Sequence, residues 1–354
     1  MSTDTLTPNA PINKEAQLET IKNAEYGVAR TITTDDIPVI DIAPLVSGEN
    51  IEDVAAQILD AVTHKGFFYI ANHGIPQQVM DKAGAAMRGF FAKPQDVKSE
   101  IPVNTSQRGW LAPGMVTLEG NKTHDLKEIF FWGPEQWTEE LDQKRAELPL
   151  IADNLWPDSS TPELRSDLIP YYDAANAVGH KILSAVAIAL GLEKDFFAKR
   201  YQTPLSRGQL VYYPVSTQQD EAEERYGSAP HTDYGVLTLL LQDMNGGLEV
   251  LTKDNEWVTA VPIPGTLVCN VGDLLHRWSN DRFSSNLHRV INRSGNERHS
   301  IAIFFDPTPD AVINPRDMGL KDTDEVRYES VITADYINAQ NKKSFAQYNN
   351  GDDK

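Results

Sequence analysis

His231-Thr232-Asp233-Tyr234-Gly235-Val236-Leu237-Thr238-Leu239-Leu240-Leu241-Gln242 is the stretch on which the fold turns. Its second half, Val236–Gln242, is a short β-rich run bounded by turn residues and reads as a buried strand. Its first half sets a histidine and a carboxylate two residues apart. In an extended strand, residues i and i+2 point the same way, so both side chains can address one point. Similar short runs surround it: Gln209–Tyr213, Gly247–Leu251, Trp257–Ala260, Thr266–Val271, Leu287–Asn292 and His299–Phe305. Gly, Pro, Asn and Asp separate them. Short strands with regular turn signals predict a sandwich, a barrel or a jelly roll.

Upstream of residue 204 the texture differs. Pro38–Ile42 is a strand candidate. Ile51, Val54, Ala55, Ile58, Leu59 and Val62 follow helical spacing, Gly66 ends that helix, and Phe67–Ile70 reads as a buried strand. The pattern predicts further helices over Gln77–Phe91 and Asp173–Leu190, with Pro170 at the start of the latter or kinking a longer one. Residues 102–160 read as irregular, the acidic run Asp220–Glu224 as a solvated loop, and 349–354 as a frayed tail. The expected organisation is a flexible arm (1–36), an α/β region packed on the core (37–200), the β core (201–310) and a C-terminal extension (311–354).

The chain has 354 residues, 40% of them hydrophobic, enough for a sizeable core. Its net charge of −19 repels phosphate backbones and anionic lipid surfaces, which argues against nucleic acid and membrane partners. No stretch reaches membrane-spanning length, and the first thirty residues lack a secretory signal pattern. A cytoplasmic location is therefore expected. The single cysteine, Cys269, excludes an internal disulfide framework and reads as a buried structural thiol.

A second histidine, His288, lies 57 residues after His231. Two neutral imidazoles and one carboxylate suit a non-haem Fe(II) with open coordination positions. Alone, His-x-Asp is a weak signal. Its weight comes from Arg298 and Ser300, again at i and i+2, where a guanidinium fork and a hydroxyl can grip one carboxylate. Tyr213 can add a phenolic donor from an earlier strand. Iron ligands beside such a clamp make a site for a chelating keto acid.

These residues resemble the Fe(II)/2-oxoglutarate-dependent dioxygenase superfamily, in the branch of isopenicillin N synthase and the plant-type dioxygenases. The similar segments are His231-Thr232-Asp233-Tyr234-Gly235, Gly246-Gly247-Leu248, Asn270-Val271-Gly272-Asp273, Trp278-Ser279-Asn280 and His288-Arg289-Val290. Upstream, Ile37–Asp41, Gly66–Ile75, Arg108-Gly109-Trp110 and Asp125–Glu128 are similar too. The resemblance implies a mainly β fold with flanking helices and a double-stranded β-helix (jelly-roll) core. It implies His231, Asp233 and His288 as iron ligands, with Arg298 and Ser300, assisted by Tyr213, on the distal carboxylate of 2-oxoglutarate. The implied reaction consumes O2 and 2-oxoglutarate, releases succinate, and oxidises a C–H bond of a small molecule, with hydroxylation as the default. Ascorbate is the expected reductant in vitro.

Substrate contacts are expected from Arg108, Trp110, Phe130 and Phe304. Arg108 reads equally as a structural ion-pair partner, and Phe304 equally as core filler. Gln209 and Val211 stand where many relatives carry Arg or Asn, which weakens polar contacts from that strand. Of the other histidines, His73 reads as structural, His276 as a rival ligand ranking below His288, and His299 as facing away from the clamp. Asp273 reads as a turn former. Two other functions fit the same motifs: an isopenicillin N synthase-like oxidase that uses no 2-oxoglutarate, and a metal-binding jelly roll without turnover. The primary substrate and the oligomeric state are not written in the sequence.

Overall fold

The computed structural model describes residues 14–23, 26–27, 29–33, 35–345 and 348. An eight-stranded sheet runs in the order Val39–Asp41, Phe67–Ala71, Thr266–Val271, Leu237–Gln242, Arg298–Phe305, Arg207–Tyr213, Glu128–Trp132, Gly109–Leu111. A five-stranded sheet runs Arg30–Thr31, Trp257–Thr259, Leu248–Leu251, His288–Val290, Ser228–His231. Pairing is antiparallel except for Val39–Asp41 on Phe67–Ala71 and Arg30–Thr31 on Trp257–Thr259. This is the expected jelly roll with helices laid on it.

Strand alternation splits the large sheet between two cores. Phe67, Tyr69, Ile129, Phe131 and Val268 point inward and meet Leu248, Val250 and Val290 of the small sheet. Phe68, Ile70, Phe130, Leu210, Ile301 and Ile303 point outward and meet the helices. The helix Gln77–Phe91 has the predicted bounds and buries Met80, Ala83, Met87 and Phe90 at helical spacing. The helix Glu163–Ala189 starts earlier than Asp173 and carries Pro170 inside it. A proline there costs about 3 kcal/mol. Four side chains of its first turns, Leu164, Leu168, Tyr171 and Tyr172, are buried. Each burial contributes roughly 1.5–3 kcal/mol, so packing outweighs the break.

Three local expectations are corrected. Residues 102–160 hold two strands, Gly109–Leu111 and Glu128–Trp132, buried throughout; burial on both faces removes the alternation that marks a strand in sequence. Part of Asp220–Glu224 is helical rather than a loop. The helix Gln218–Ala222 starts at a capping box in which Thr217 and Asp220 satisfy each other's backbone N–H. Within the segment read as a flexible arm, Lys14–Asn23 is a helix, with Leu18 and Ile21 over Gly120. The predicted tail, 349–354, lies outside the described residues. Among the described residues no helix is long and apolar enough to cross a membrane.

Candidate active site

The strand Ser228–His231 ends at His231, and His288 stands directly opposite it on the neighbouring strand. Their imidazole centroids are 4.2 Å apart. Asp233 lies just past the strand end, so it converges with His231 through a turn and not through strand parity. Thr232 donates to Asp273 Oδ2 at 3.0 Å, Ser285 donates to Asp273 Oδ1 at 2.8 Å, and Asp273 N–H donates to the Asp233 carbonyl at 2.7 Å. Asp273 thus fastens this turn. The packing is close: a Cβ on Gly272 would lie 2.2 Å from the Gly235 carbonyl, and a Cβ on Gly235 would lie 2.0 Å from Asp306 Oδ1.

One donor atom from each of His231, Asp233 and His288 lies within 4.8 Å of the others. Asp233 Oδ1 is 4.0 Å from His231 Nε2 and 3.7 Å from His288 Nε2. The far side of each group is already held. His231 Nδ1 donates to the Ala229 carbonyl at 2.7 Å and His288 Nδ1 to the Asn286 carbonyl at 3.2 Å, an arrangement that leaves both Nε2 lone pairs facing Asp233. Asp233 Oδ2 accepts from Thr238 at 2.5 Å and from Asn270 at 2.8 Å, so Oδ1 is the free oxygen. Burial, then His288 and Lys127, push the His231 pKa down, which keeps it neutral. Burial opposes the Asp233 charge, yet the two imidazoles, Asn270 and Thr238 hold its pKa below the ordinary value. A neutral His pair and an ionised carboxylate with one free oxygen fit a ferrous ion.

The strand Arg298–Phe305 carries Arg298, Ser300, Ala302 and Phe304 on one face, and Arg298 pairs across with Tyr213. The Arg298 guanidinium is buried, donates to the Gly246 carbonyl at 2.7 Å and to Ser300 Oγ at 3.3 Å, and lies 4.7 Å from the centre of the Tyr213 ring. The three predicted clamp residues are therefore brought together. Phe304 pairs with Thr238, the residue that holds Asp233, so clamp and metal layer share one sheet face. Ala302, the smallest side chain of the row, separates them.

A cavity beside the metal layer is lined by His231 and Asp233 together with Lys127, Arg207, Gln209, Phe304 and Asn341. Phe304 lines this cavity, the one of its two equal readings that makes it a wall. Arg108, Trp110 and Phe130 do not line this cavity, which corrects those three assignments. Arg108 is fully buried and donates to the carbonyls of Ser106, Gln107 and Leu150. Trp110 and Phe130 face each other on paired strands with the outward parity, in the core under the helices. There Trp110 donates at 2.7 Å to Glu128, which also pairs with Lys98.

Gln209, which stands where many relatives carry Arg or Asn, lines the cavity as well. Lys127, Arg207, Asn341, Thr238 and Asn270 were not singled out as site residues. Parity alone places Arg207 and Gln209 on the face of Tyr213. His276 is no ligand of this centre; its Nε2 is 2.6 Å from Asp281. His73 is buried and accepts from Ile75 N–H, as a structural histidine would. His299 lies against Tyr212 and Phe91, on the face opposite the clamp. Burial pushes the Cys269 thiol pKa up, which leaves it inert.

A jelly roll with this donor set defines a non-haem iron oxygenase. Residues 206–307 match the 2OG-Fe(II) oxygenase superfamily, and residues 37–159 match the family described as non-haem dioxygenase in morphine synthesis N-terminal. A 2-oxoglutarate-Fe(II) type oxidoreductase of Emericella nidulans is 30% identical over 317 residues, 88% of this chain and 90% of its own length. Homoarginine-6-hydroxylase of Oryza sativa is 34% identical over 85% of this chain and 95% of its own. The crystal structure of Neurospora crassa T7H in complex with alpha-KG and thymine superposes with a TM-score of 0.76 at 26% identity, covering 87% of this chain and 98% of that one. The chain belongs to the 2OG-Fe(II) oxygenase superfamily and is a 2-oxoglutarate-dependent, non-haem iron enzyme.

Proposed function

We propose that the chain hydroxylates a C–H bond of a small organic molecule held in the cavity beside Phe304. The observation that carries this reading is the prepared state of the three ligands: every atom not needed for iron is already hydrogen-bonded, and the three that remain converge. Bound Fe(II) and 2-oxoglutarate supply a two-electron oxidation in which RH, O2 and 2-oxoglutarate become ROH, succinate and CO2. In this reading His231, Asp233 and His288 would hold the ion through the three converging donor atoms. Arg298 and Ser300 neutralise and orient the distal carboxylate of 2-oxoglutarate, and Tyr213 braces the guanidinium through its ring. Phe304 excludes water from the reacting C–H bond. That T7H is seen with thymine supports a substrate of similar size. The net charge of −19 supports a free small molecule over one carried on nucleic acid.

The test is a screen of compound pools with Fe(II), ascorbate and 2-oxoglutarate. Succinate release matched mole for mole by products one oxygen heavier supports the proposal. Substrate oxidation that proceeds without 2-oxoglutarate would favour the oxidase reading instead. Unchanged succinate formation in His231→Ala would refute the ligand assignment.

A further inference from the structure

The cavity beside the metal layer carries more hydrogen-bond donors than its own protein acceptors use. Arg207 is 4% exposed, and its guanidinium is fixed at both ends: one nitrogen donates to Gln107 Oε1 at 2.7 Å and another to Asp306 Oδ2 at 3.1 Å. Its Nε is buried without a hydrogen-bond partner. The guanidinium carbon lies 5.4 Å from the centre of the Phe304 ring. Lys127 is 8% exposed; its Nζ donates to Ser228 Oγ at 2.8 Å and lies 3.0 Å from Asp125 Oδ2. An ammonium has three N–H bonds, so one remains after these two contacts. Both cations line the same cavity as His231 and Asp233, and Gln209 and Asn341 add carboxamides to its wall.

A buried donor left unmatched is costly, so an acceptor in the cavity that Arg207 and Lys127 line would be stabilised there. The group that accepts in every direction and donates in none is a carboxylate. We propose that Arg207 and Lys127 form an anion subsite for the carboxylate of the primary substrate, whose apolar body packs on Phe304 with its oxidisable carbon toward the metal layer. This assignment rests on the oxygenase reading above and narrows it to small organic acids.

The electrostatic balance permits a second anion here. With iron and 2-oxoglutarate in place, the ferrous charge and Arg298 balance Asp233 and the two carboxylates of the cosubstrate. Burial raises the pKa of Asp125 and of Asp306, the acids that pair with the two subsite cations, above the ordinary carboxylate value, while Lys127 and Arg207 pull it back down.

The test uses protein loaded with Fe(II) and 2-oxoglutarate under anaerobic conditions, and reads the visible band of the chelated keto acid as probes are added. The probes are matched pairs of acid and primary amide: phenylacetate with phenylacetamide, hexanoate with hexanamide, and a graded series of aliphatic and aromatic homologues. At least one acid is expected to bind about tenfold or more tighter than its amide and to perturb the band without bleaching it, because a charge-assisted contact outweighs a neutral one by that factor. Bleaching would show displacement of 2-oxoglutarate and count against the subsite. Arg207→Gln and Lys127→Gln should each bring acid and amide to similar affinity. Should Arg207→Gln fail to fold, Lys127→Gln, whose amide can still bond Ser228, decides alone. Amides binding as well as acids, no probe binding at all, or folded variants that keep the preference would each overturn the subsite. Failure of the band to form would count against the oxygenase reading instead; calorimetry of the same probe pairs on the metal-free protein would then decide the subsite by itself.

Discussion

Removing one hydroxyl that never touches iron should weaken iron binding. Thr238 Oγ1 donates at 2.5 Å to Asp233 Oδ2, within a site where both residues are buried. Thr238→Val keeps nearly the same shape and deletes only the donor. A hydrogen bond to a charged group contributes about 1.5–3 kcal/mol, and the carboxylate without it is both less stable as an anion and freer to rotate. Asn270 still donates to the same oxygen at 2.8 Å, so the loss is partial. The expected result is a roughly ten- to hundredfold weaker affinity for Fe(II), the range seen when the groups that orient metal ligands are removed. The assay is anaerobic competition with a chromophoric chelator, with the melting temperature of metal-free protein as the control for fold. A folded Thr238→Val protein with wild-type iron affinity would refute the view that Asp233 is prepared by its hydrogen bonds.

Three further outcomes are expected. Arg298→Gln should raise the KM for 2-oxoglutarate by about a hundredfold, since it deletes the buried cation of the clamp, and steady-state kinetics in varied 2-oxoglutarate would read it. Gly272→Ala places a Cβ 2.2 Å from the Gly235 carbonyl, so the turn carrying Asp233 must shift; a loss of about 1–3 kcal/mol in denaturant titration and a weaker iron affinity should appear together. Burial lowers the pKa of His73, His180 and His299 below their ordinary 6.5. Below that value the unfolded chain takes up protons that the folded chain refuses, so stability is full at neutral pH and falls as pH drops under 6.5. Urea titrations across that range should show the decline. His180→Phe, at a ring packed edge-on against Phe305 and Tyr201, should flatten part of it.

The clamp and the His231–Asp233 half of the metal centre were legible because each pair is encoded locally, although Asp233 converges through a turn and not through parity, and His288 comes from 57 residues away. His231 and Asp233 sit two apart, Arg298 and Ser300 sit two apart, and strand parity alone separates Arg298 from His299. The Gln77–Phe91 helix was legible because its apolar stripe is one-sided. The strand Glu128–Trp132 was not, since all five of its residues are buried and its two faces differ only in which core they enter. That hidden parity is why Phe130 and Trp110 looked like pocket walls although they point at the helices. The cavity was illegible for another reason. Lys127, Arg207 and Asn341 come from three distant segments, and nothing local in the sequence brings the helix Thr333–Ser344 back to the metal layer.

The three ligands also differ in how they meet solvent, and this orients the site. The His231 side chain is 20% exposed, against 10% for His288 and 8% for Asp233. His288 backs onto the Phe67 ring at 5.2 Å, and Asp233 backs onto Thr238 and Asn270 inside the barrel. Solvent and small ligands therefore reach the centre past His231. The cavity with Arg207 and Phe304 borders that side, as does a second recess lined by Leu18 and Ile21 of the N-terminal helix and Gln340 of the C-terminal one. The barrel fixes the ligands, but the side through which water must leave is walled by helices from the two ends of the chain. The two helices thus line the recess beside His231, while Thr238 and Asn270 hold Asp233 from behind, so access to the centre and the preparation of its carboxylate are set by different parts of the fold.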